Sequence, residues 1–310
     1  MNSAVPNPKA FLKLMAPTPA ERRIFTAMRA GMRVLSWVAP GLAARVCLLL
    51  FTLPRRYTPP RFEQEIAATA EDLHFAWAGR ELRAYAWGAG PVVLLVHGWE
   101  GRGAQLGRFM EPLVAAGYRV VALDAPAHGR SDGRRTEAVE FARALPEVVD
   151  QLGGVHAIVA HSYGAGATVM AIQRGLVVEK VVLIGMPDRL MHVIARFQFM
   201  MGVSDRVIAR FLRLMEKRSG TRPEDVNMVE MDPSGVAACL HIHDRGDIEV
   251  PYVEGEAIMR AWPNAKHVAT SGLGHRRILK DGRVAAMVTA FVQGEDVDDA
   301  VAIEVAETAQ

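Results

Sequence analysis

The spacing of hydrophobic positions changes along this chain, and the changes mark out its elements. Residues 21–53 have helical spacing, broken at Pro40-Gly41, a strong turn signal, so two helices are predicted there. From Leu73 the spacing drops to alternation. Residues 73–78 and 82–87 predict a β-hairpin around Gly79-Arg80. Val92-Val93-Leu94-Leu95-Val96 is apolar at every position, which predicts a strand buried on both faces. Comparable runs recur at 119–123, 157–160, 181–184, 239–242 and 266–270. Helical stretches separate them: one reaching Ala116, then 136–152, 254–261 and, after the last run, 282–291. Strands alternating with helices predict an α/β fold, a mostly parallel sheet with helices on both faces.

Between about 186 and 232 the alternation stops. The segment is helical and rich in Met and Phe, among them Met191, Phe197, Phe199, Met200, Met201, Phe211 and Met215. Loops at the carboxyl ends of strands are where ligands bind in open α/β sheets, so this insertion is expected to cap a cleft. Plain helical packing on the core is the alternative. Tyr57 to Arg61, with Pro59-Pro60, reads as a linker. The expected organisation is a basic, apolar helical extension over 1–61, an α/β domain over 62–293 and an acidic, unstructured tail over 294–310.

Composition adds a charge asymmetry. Half of the residues are hydrophobic and 23% are charged, as in a globular protein. The formal net charge is only +2, yet residues 1–61 carry ten Lys and Arg against one acid, Glu21. The stretch from Gly294 carries six acids and no base. The middle is near neutral, which is not a nucleic-acid surface. An anionic partner such as a phospholipid headgroup would meet the N-terminal segment. Residues 34–53 form the most apolar window, which could be a helical hairpin packed on the body, an interfacial anchor or a membrane span. Pro40, Gly41 and Arg45 inside it disfavour the span. Two cysteines, Cys47 and Cys239, make no disulfide framework, and the first twenty residues lack a secretory pattern. A cytoplasmic location is expected, with membrane contact through 21–61 open.

The stretch Ala157-Ile158-Val159-Ala160-His161-Ser162-Tyr163-Gly164 is a strand that ends in a hydroxyl residue with a helical pattern behind it. A backbone doubling back from strand to helix leaves little room for a Cβ beside the apex. Ala160 and Gly164, each two residues from Ser162, comply. This is the G-x-S-x-G elbow pattern with alanine for the first glycine, although a serine capping an ordinary helix would read the same. A serine hydroxyl becomes a nucleophile only when an imidazole takes its proton and a carboxylate holds that imidazole. Those partners should follow in chain order, each just past a strand. Asp247 and His275 comply, with Asp244 a second candidate for the acid and His128 and His161 near misses for the base. His161 is expected to support the elbow or line the pocket, His97 to tie its own loop through its ring, and Asp124 to hold a loop. His241-Ile242-His243-Asp244 could offer a metal alternate residues of one strand face, but no matching group stands elsewhere.

Together these pieces resemble the α/β-hydrolase superfamily of serine esterases, over about residues 73–291. The matching pieces are His97-Gly98, Asp124-x-Pro126-x-His128-Gly129-x-Ser131, the Ser162 elbow, Asp247-x-x-Val250-Pro251 and Gly274-His275. The resemblance implies the α/β-hydrolase fold, with Ser162 as nucleophile, His275 as general base and Asp247, favoured by its spacing to Val250-Pro251, as the orienting acid. It implies an oxyanion hole built from the backbone N–H groups of Tyr163 and Trp99. Ala160 departs from the commonest glycine, a methyl the superfamily often tolerates. The implied activity is hydrolysis of a carboxylic ester or thioester with an apolar acyl group, through an acyl-enzyme on Ser162 and without cofactor or metal. A serine at the elbow argues against haloalkane dehalogenase and epoxide hydrolase chemistry, which uses aspartate there. Two other classes stay open: a non-catalytic ligand-binding protein on the same scaffold, and a membrane-surface lipase or acyltransferase.

Overall fold

Strands that are apolar at every position need cover on two sides, and the sheet has it. The fold is described from a computed structural model that places Lys13, Ala16, residues 18–231 and 236–295, Val297 and the backbone of Ile303–Glu304. The strands are β1 Glu71–Trp77, β2 Arg80–Trp87, β3 Val92–Val96, β4 Arg119–Asp124, β5 Ala157–His161, β6 Lys180–Ile184, β7 Ala238–Asp244 and β8 Lys266–Ser271. They line up as β1-β2-β4-β3-β5-β6-β7-β8, antiparallel from β1 to β4 and parallel from there on. Successive side chains point to opposite faces. Leu94, Val96, Ile158 and Ala160 therefore enter one core, while Val93, Leu95, Ala157 and Val159 enter the other.

The chain steps from β3 to β4 on one side and continues from β5 to β8 on the other. Strand order reverses at β3, so the loops leaving β3 and β5 diverge and open a crevice at the carboxyl edge. The helices are α1 Pro19–Val38, α2 Pro40–Thr52, α3 Arg61–Ala68, α4 Met110–Ala115, α5 Ala138–Gln151, α6 Tyr163–Ile172, α7 Leu190–Met201, α8 Asp205–Ser219, α9 Tyr252–Ala261, α10 Gly274–Arg277 and α11 Gly282–Gln293. Gly103–Phe109, expected as ordinary helix, is a 3-10 segment leading into α4. Helix α3 was not predicted, because Pro59-Pro60 reads as the end of structure. Pro60 instead starts the helix, its carbonyl accepting the Glu63 and Gln64 N–H groups at 3.0 and 3.1 Å.

The inserted helices are α7 and α8, and the ends of the insertion are tied together. Leu190 N–H donates to the Val226 carbonyl at 2.9 Å and Met228 N–H to that of Asp188 at 2.7 Å. The N-terminal helices pack on this insertion. Phe51 of α2 meets Phe197 and Phe211 edge-on, at ring-centroid distances of 5.0 and 5.4 Å. Arg29 of α1 donates to the Phe199 carbonyl and, at 3.2 Å, to the Met200 carbonyl, satisfying the end of α7. Residues 34–53 are thus a helical pair broken at Ala39, and among the described residues no helix is long and apolar enough to cross a membrane. Within the acidic tail, expected to lack structure, Ile303–Glu304 forms β9 and pairs in parallel with Thr270–Ser271 at the sheet edge. Its remaining residues, apart from Gly294, Glu295 and Val297, lie outside the described residues, as do most of residues 1–17.

Candidate active site

Ser162 sits between β5 and α6 with φ +53° and ψ −119°, a sparsely populated conformation that costs a non-glycine residue on the order of 1–3 kcal/mol. Its surroundings hold it there. Ser162 N–H donates to the Ile184 carbonyl at 2.8 Å, and the first turn of α6 runs close under the loop after β3. A Cβ on Gly164 would lie 2.3 Å from the His97 carbonyl oxygen, so only glycine fits. Ala160 is fully buried between Val96 and Leu183 on the neighbouring strands, and the methyl is accommodated as core. The Ser162 side chain makes no helix-capping bond.

It meets His275 instead. Ser162 Oγ lies 2.9 Å from His275 Nε2, and His275 Nδ1 lies 2.6 Å from Asp247 Oδ2. Asp247 ends a turn after β7, where its Oδ1 accepts the N–H groups of Glu249 and Val250 at 2.9 and 2.8 Å. Burial disfavours the charged form of His275, but the Asp247 carboxylate outweighs it with its field and hydrogen bond, with a smaller pull from Glu249. The imidazole pKa is therefore raised. The three side chains form one line: carboxylate, imidazole with Nδ1–H toward it, and a free Nε2 lone pair facing a hydroxyl. Such a line can draw a proton off the hydroxyl.

Asp244 is elsewhere. Its carboxylate accepts from Gly246 N–H at 2.8 Å, Thr270 Oγ1 at 2.8 Å and Leu273 N–H at 3.0 Å, pinning the loops after β7 and β8 together. His161 Nε2 donates to the His275 carbonyl at 3.0 Å, so it supports the backbone of the imidazole and does not reach the hydroxyl. His97 Nδ1–H donates to the Gly98 carbonyl at 2.7 Å while its Nε2 accepts Ala125 N–H at 3.0 Å. That ties the loop after β3 to the loop after β4. His128 Nε2 accepts Glu100 N–H at 3.1 Å, and burial pushes its pKa down to about 4. Asp124 accepts from Gly103 N–H at 2.8 Å and Arg130 N–H at 2.9 Å.

Tyr163 opens α6 directly after Ser162, and Trp99 lies in the loop after β3. A Cβ on Gly98, next to Trp99, would lie 3.0 Å from the Ser162 Cβ, which shows how closely that loop approaches. Among the described residues neither the Tyr163 nor the Trp99 N–H has a protein acceptor. The two rings meet edge-on at 5.2 Å. Behind Tyr163 runs a narrow, largely apolar cleft lined by Met170, Leu190, Val193, Val226 and Met228, with Arg189 as its one charged side chain.

Several contributors had no local signal. Gly185, at φ +59° after β6, presses on the imidazole: a Cβ there would lie 3.2 Å from His275 Nδ1. His243 donates from Nε2 to the Val250 carbonyl at 2.9 Å, bracing the turn that carries Asp247. Arg55 clasps Glu100 with two bonds of 2.8 and 2.9 Å, so the chain after α2 is strapped to the Trp99 loop. Among the described residues, Asp188, His192 and Glu254 could converge on a metal. Arg196 is already paired with Glu254 there and Arg189 Nε with Asp188 at 3.2 Å, so both carboxylates have their cations. Of the His241-Ile242-His243-Asp244 group, Asp244 turns to Thr270 and Leu273.

This sheet order, the insertion after β6 and the serine at a strained strand-to-helix turn define an α/β hydrolase. Residues 93–287 match the alpha/beta hydrolase family, and the chain belongs to it. A 2-hydroxy-6-oxononadienedioate/2-hydroxy-6-oxononatrienedioate hydrolase of Klebsiella pneumoniae is 38% identical over 136 residues, 39% of this chain and 46% of its own. Its Escherichia coli counterpart is 42% identical over 101 residues, 29% of this chain and 34% of its own. The chain thus spans less than half the length of these relatives. A Pyrococcus furiosus esterase superposes with a TM-score of 0.61 at 18% identity, over 79% of this chain and 98% of the esterase. A meta-cleavage product hydrolase of Pseudomonas fluorescens gives 0.53 at 18% identity, over 72% and 97%.

Proposed function

We propose that this hydrolase cleaves carboxylic esters or thioesters through an acyl-enzyme on Ser162. Ser162 Oγ attacks the acyl carbon as its proton passes to His275 Nε2. The oxyanion that forms is met by the Tyr163 and Trp99 N–H groups, each such donor being worth about 3 kcal/mol in the transition state. Collapse expels the alcohol or thiol, which takes the proton from His275. Water then attacks the acyl carbon with His275 again as base, releasing the acid and restoring the hydroxyl. Asp247 holds the imidazole in the tautomer this requires and stabilises the imidazolium.

What carries this reading is the continuous Ser162–His275–Asp247 hydrogen-bond line beside an apolar cleft. The expected result is turnover of p-nitrophenyl acetate and butyrate, abolished in Ser162→Ala with an unchanged circular dichroism spectrum. Labelling by a fluorophosphonate should disappear in the same variant. Turnover surviving the substitution would remove Ser162 from the reaction, and an unreactive wild-type chain would leave a ligand-binding protein.

The curated relatives favour a second reading, hydrolysis of a carbon–carbon bond in a 2-hydroxy-6-oxo dienoate. Such an acid needs cations in its pocket. The cleft offers only Arg189, whose Nε is tied to Asp188 at 3.2 Å, so esters are preferred. Loss of the dienolate's visible absorbance on mixing, faster than any ester turnover, would reverse that preference.

A further inference from the structure

The outer side of α1 and α2 is hydrophobic where a protein surface should be polar. Trp37 is 85% exposed and Val38 66%, with Val34 beside them. Leu42, Leu49 and Leu50 continue the exposed apolar set along α2, with Leu53 just past its end. Positions 34, 37 and 38 are three and four apart, and 49 and 50 follow 42 by seven and eight, so each group shares one helix face. The opposite sides are in use: Met32 and Ser36 are buried, and Ala43, Ala44 and Cys47 enter the core beneath α7 and α8. The exposed face is therefore left over after packing and not a consequence of loose docking.

Charge identifies what would cover it. Arg23, Arg33 and Arg45 lie exposed on the same two helices and have no acidic partner among the described residues. The one acid of the pair, Glu21, is engaged with Thr18 at the start of α1. A second copy of the chain, docked about a two-fold axis, would set this cationic face against itself. We propose that the α1–α2 face binds an anionic phospholipid bilayer, lying in the interface with Trp37, Val38 and Leu42 in the acyl boundary and the arginines at the headgroups. Neither helix is both long and apolar enough to span, and an amphipathic pair needs only to lie flat. The chain leaving α2 runs directly to Arg55 and its clasp on Glu100, so docking would hold the rim of the Ser162 crevice near the lipid surface. This inference stands whether or not the hydrolytic reading does.

The test is flotation of the full-length chain with phosphatidylcholine vesicles and with vesicles of equal phosphatidylcholine and phosphatidylglycerol. Binding to the mixed vesicles only, reversed by high salt, is expected. Trp37→Glu combined with Val38→Glu should reduce the bound fraction about ten-fold, and Arg33→Glu combined with Arg45→Glu at least about five-fold. Both variants should keep the wild-type circular dichroism spectrum and thermal midpoint. Failure of the wild-type chain to float, equal flotation of wild type and both variants, or a concentration-dependent dimer that buries Trp37 without lipid binding would each overturn the proposal. Hydrolysis of a soluble ester, measured alongside, tests the other reading separately.

Discussion

Substituting Asp247 by Asn tests the proposed chemistry most sharply, because the structure dictates how the new side chain must sit. Asp247 Oδ1 accepts two backbone N–H groups, from Glu249 and Val250. In Asp247→Asn the carboxamide oxygen must stay on those two donors, since its NH2 group would meet N–H with N–H. The NH2 is then forced toward His275 Nδ1, 2.6 Å from the present Oδ2. It donates to Nδ1, so the imidazole proton moves to Nε2 and points at Ser162, 2.9 Å away. A protonated Nε2 cannot accept the hydroxyl proton. An analogous tautomer reversal in serine proteases costs about 10⁴-fold in kcat, roughly 5.5 kcal/mol of transition-state stabilisation. We expect a fall of that order in kcat for p-nitrophenyl butyrate, with KM little changed. The turn keeps its hydrogen bonds, so the thermal midpoint should stay within a few degrees. A loss below about ten-fold, or a loss that tracks unfolding, would refute the tautomer argument.

Other outcomes follow from single contacts. The raised pKa of His275 places the acid limb of kcat/KM above the ordinary histidine value of about 6.5, activity falling as pH drops through it. In Asp247→Asn, burial is opposed only by the smaller pull of Glu249, and the limb of the residual activity should move down. Gly164→Ala drives a methyl against the His97 carbonyl oxygen 2.3 Å away and should destabilise by about 3 kcal/mol, read as a drop of roughly 6–12 °C in thermal melting. Asp244→Ala strands the buried Thr270 hydroxyl and the Leu273 N–H. It should cost about 3 kcal/mol in chemical denaturation while leaving the pH limb in place.

What the sequence disclosed was what local pattern can carry. Strands buried on both faces announced themselves by lacking polar positions, and the elbow by a serine between small residues. The spacing from Asp247 to Val250 was informative for a physical reason: the Val250 N–H is one of the two donors that orient the carboxylate. Gly185 was illegible because it acts across strands, by leaving room for the imidazole, and His243 because it acts through a backbone carbonyl, which carries no residue signature. The strap was hidden for the same reason, since Arg55 and Glu100 are 45 residues apart. Pro59-Pro60 misled, because a proline that ends one element can equally begin another. The exposed face of α1 and α2 was half legible: its hydrophobicity was plain, but only packing against α7 and α8 decides which side remains outside.

The crevice contains more histidines than its proposed chemistry uses, and their protonation states explain why that is consistent. His97, His128, His161 and His243 are buried, and burial holds each below the ordinary histidine range. His97 and His128 can bond as they do only when neutral, each donating from Nδ1–H and accepting at Nε2. A proton added to either would leave two N–H groups opposed and detach the Trp99 loop. His275 alone among these five is shifted upward, because it alone faces a carboxylate at 2.6 Å. The loops are therefore fixed over the pH range in which the reacting imidazole titrates. A single ionisation should shape the upper part of the acid limb, where His128, pushed down to about 4, is still neutral. A limb steeper than one proton at higher pH would mean that the framework titrates with the reacting group, and that the neutral-histidine scaffold described here is wrong.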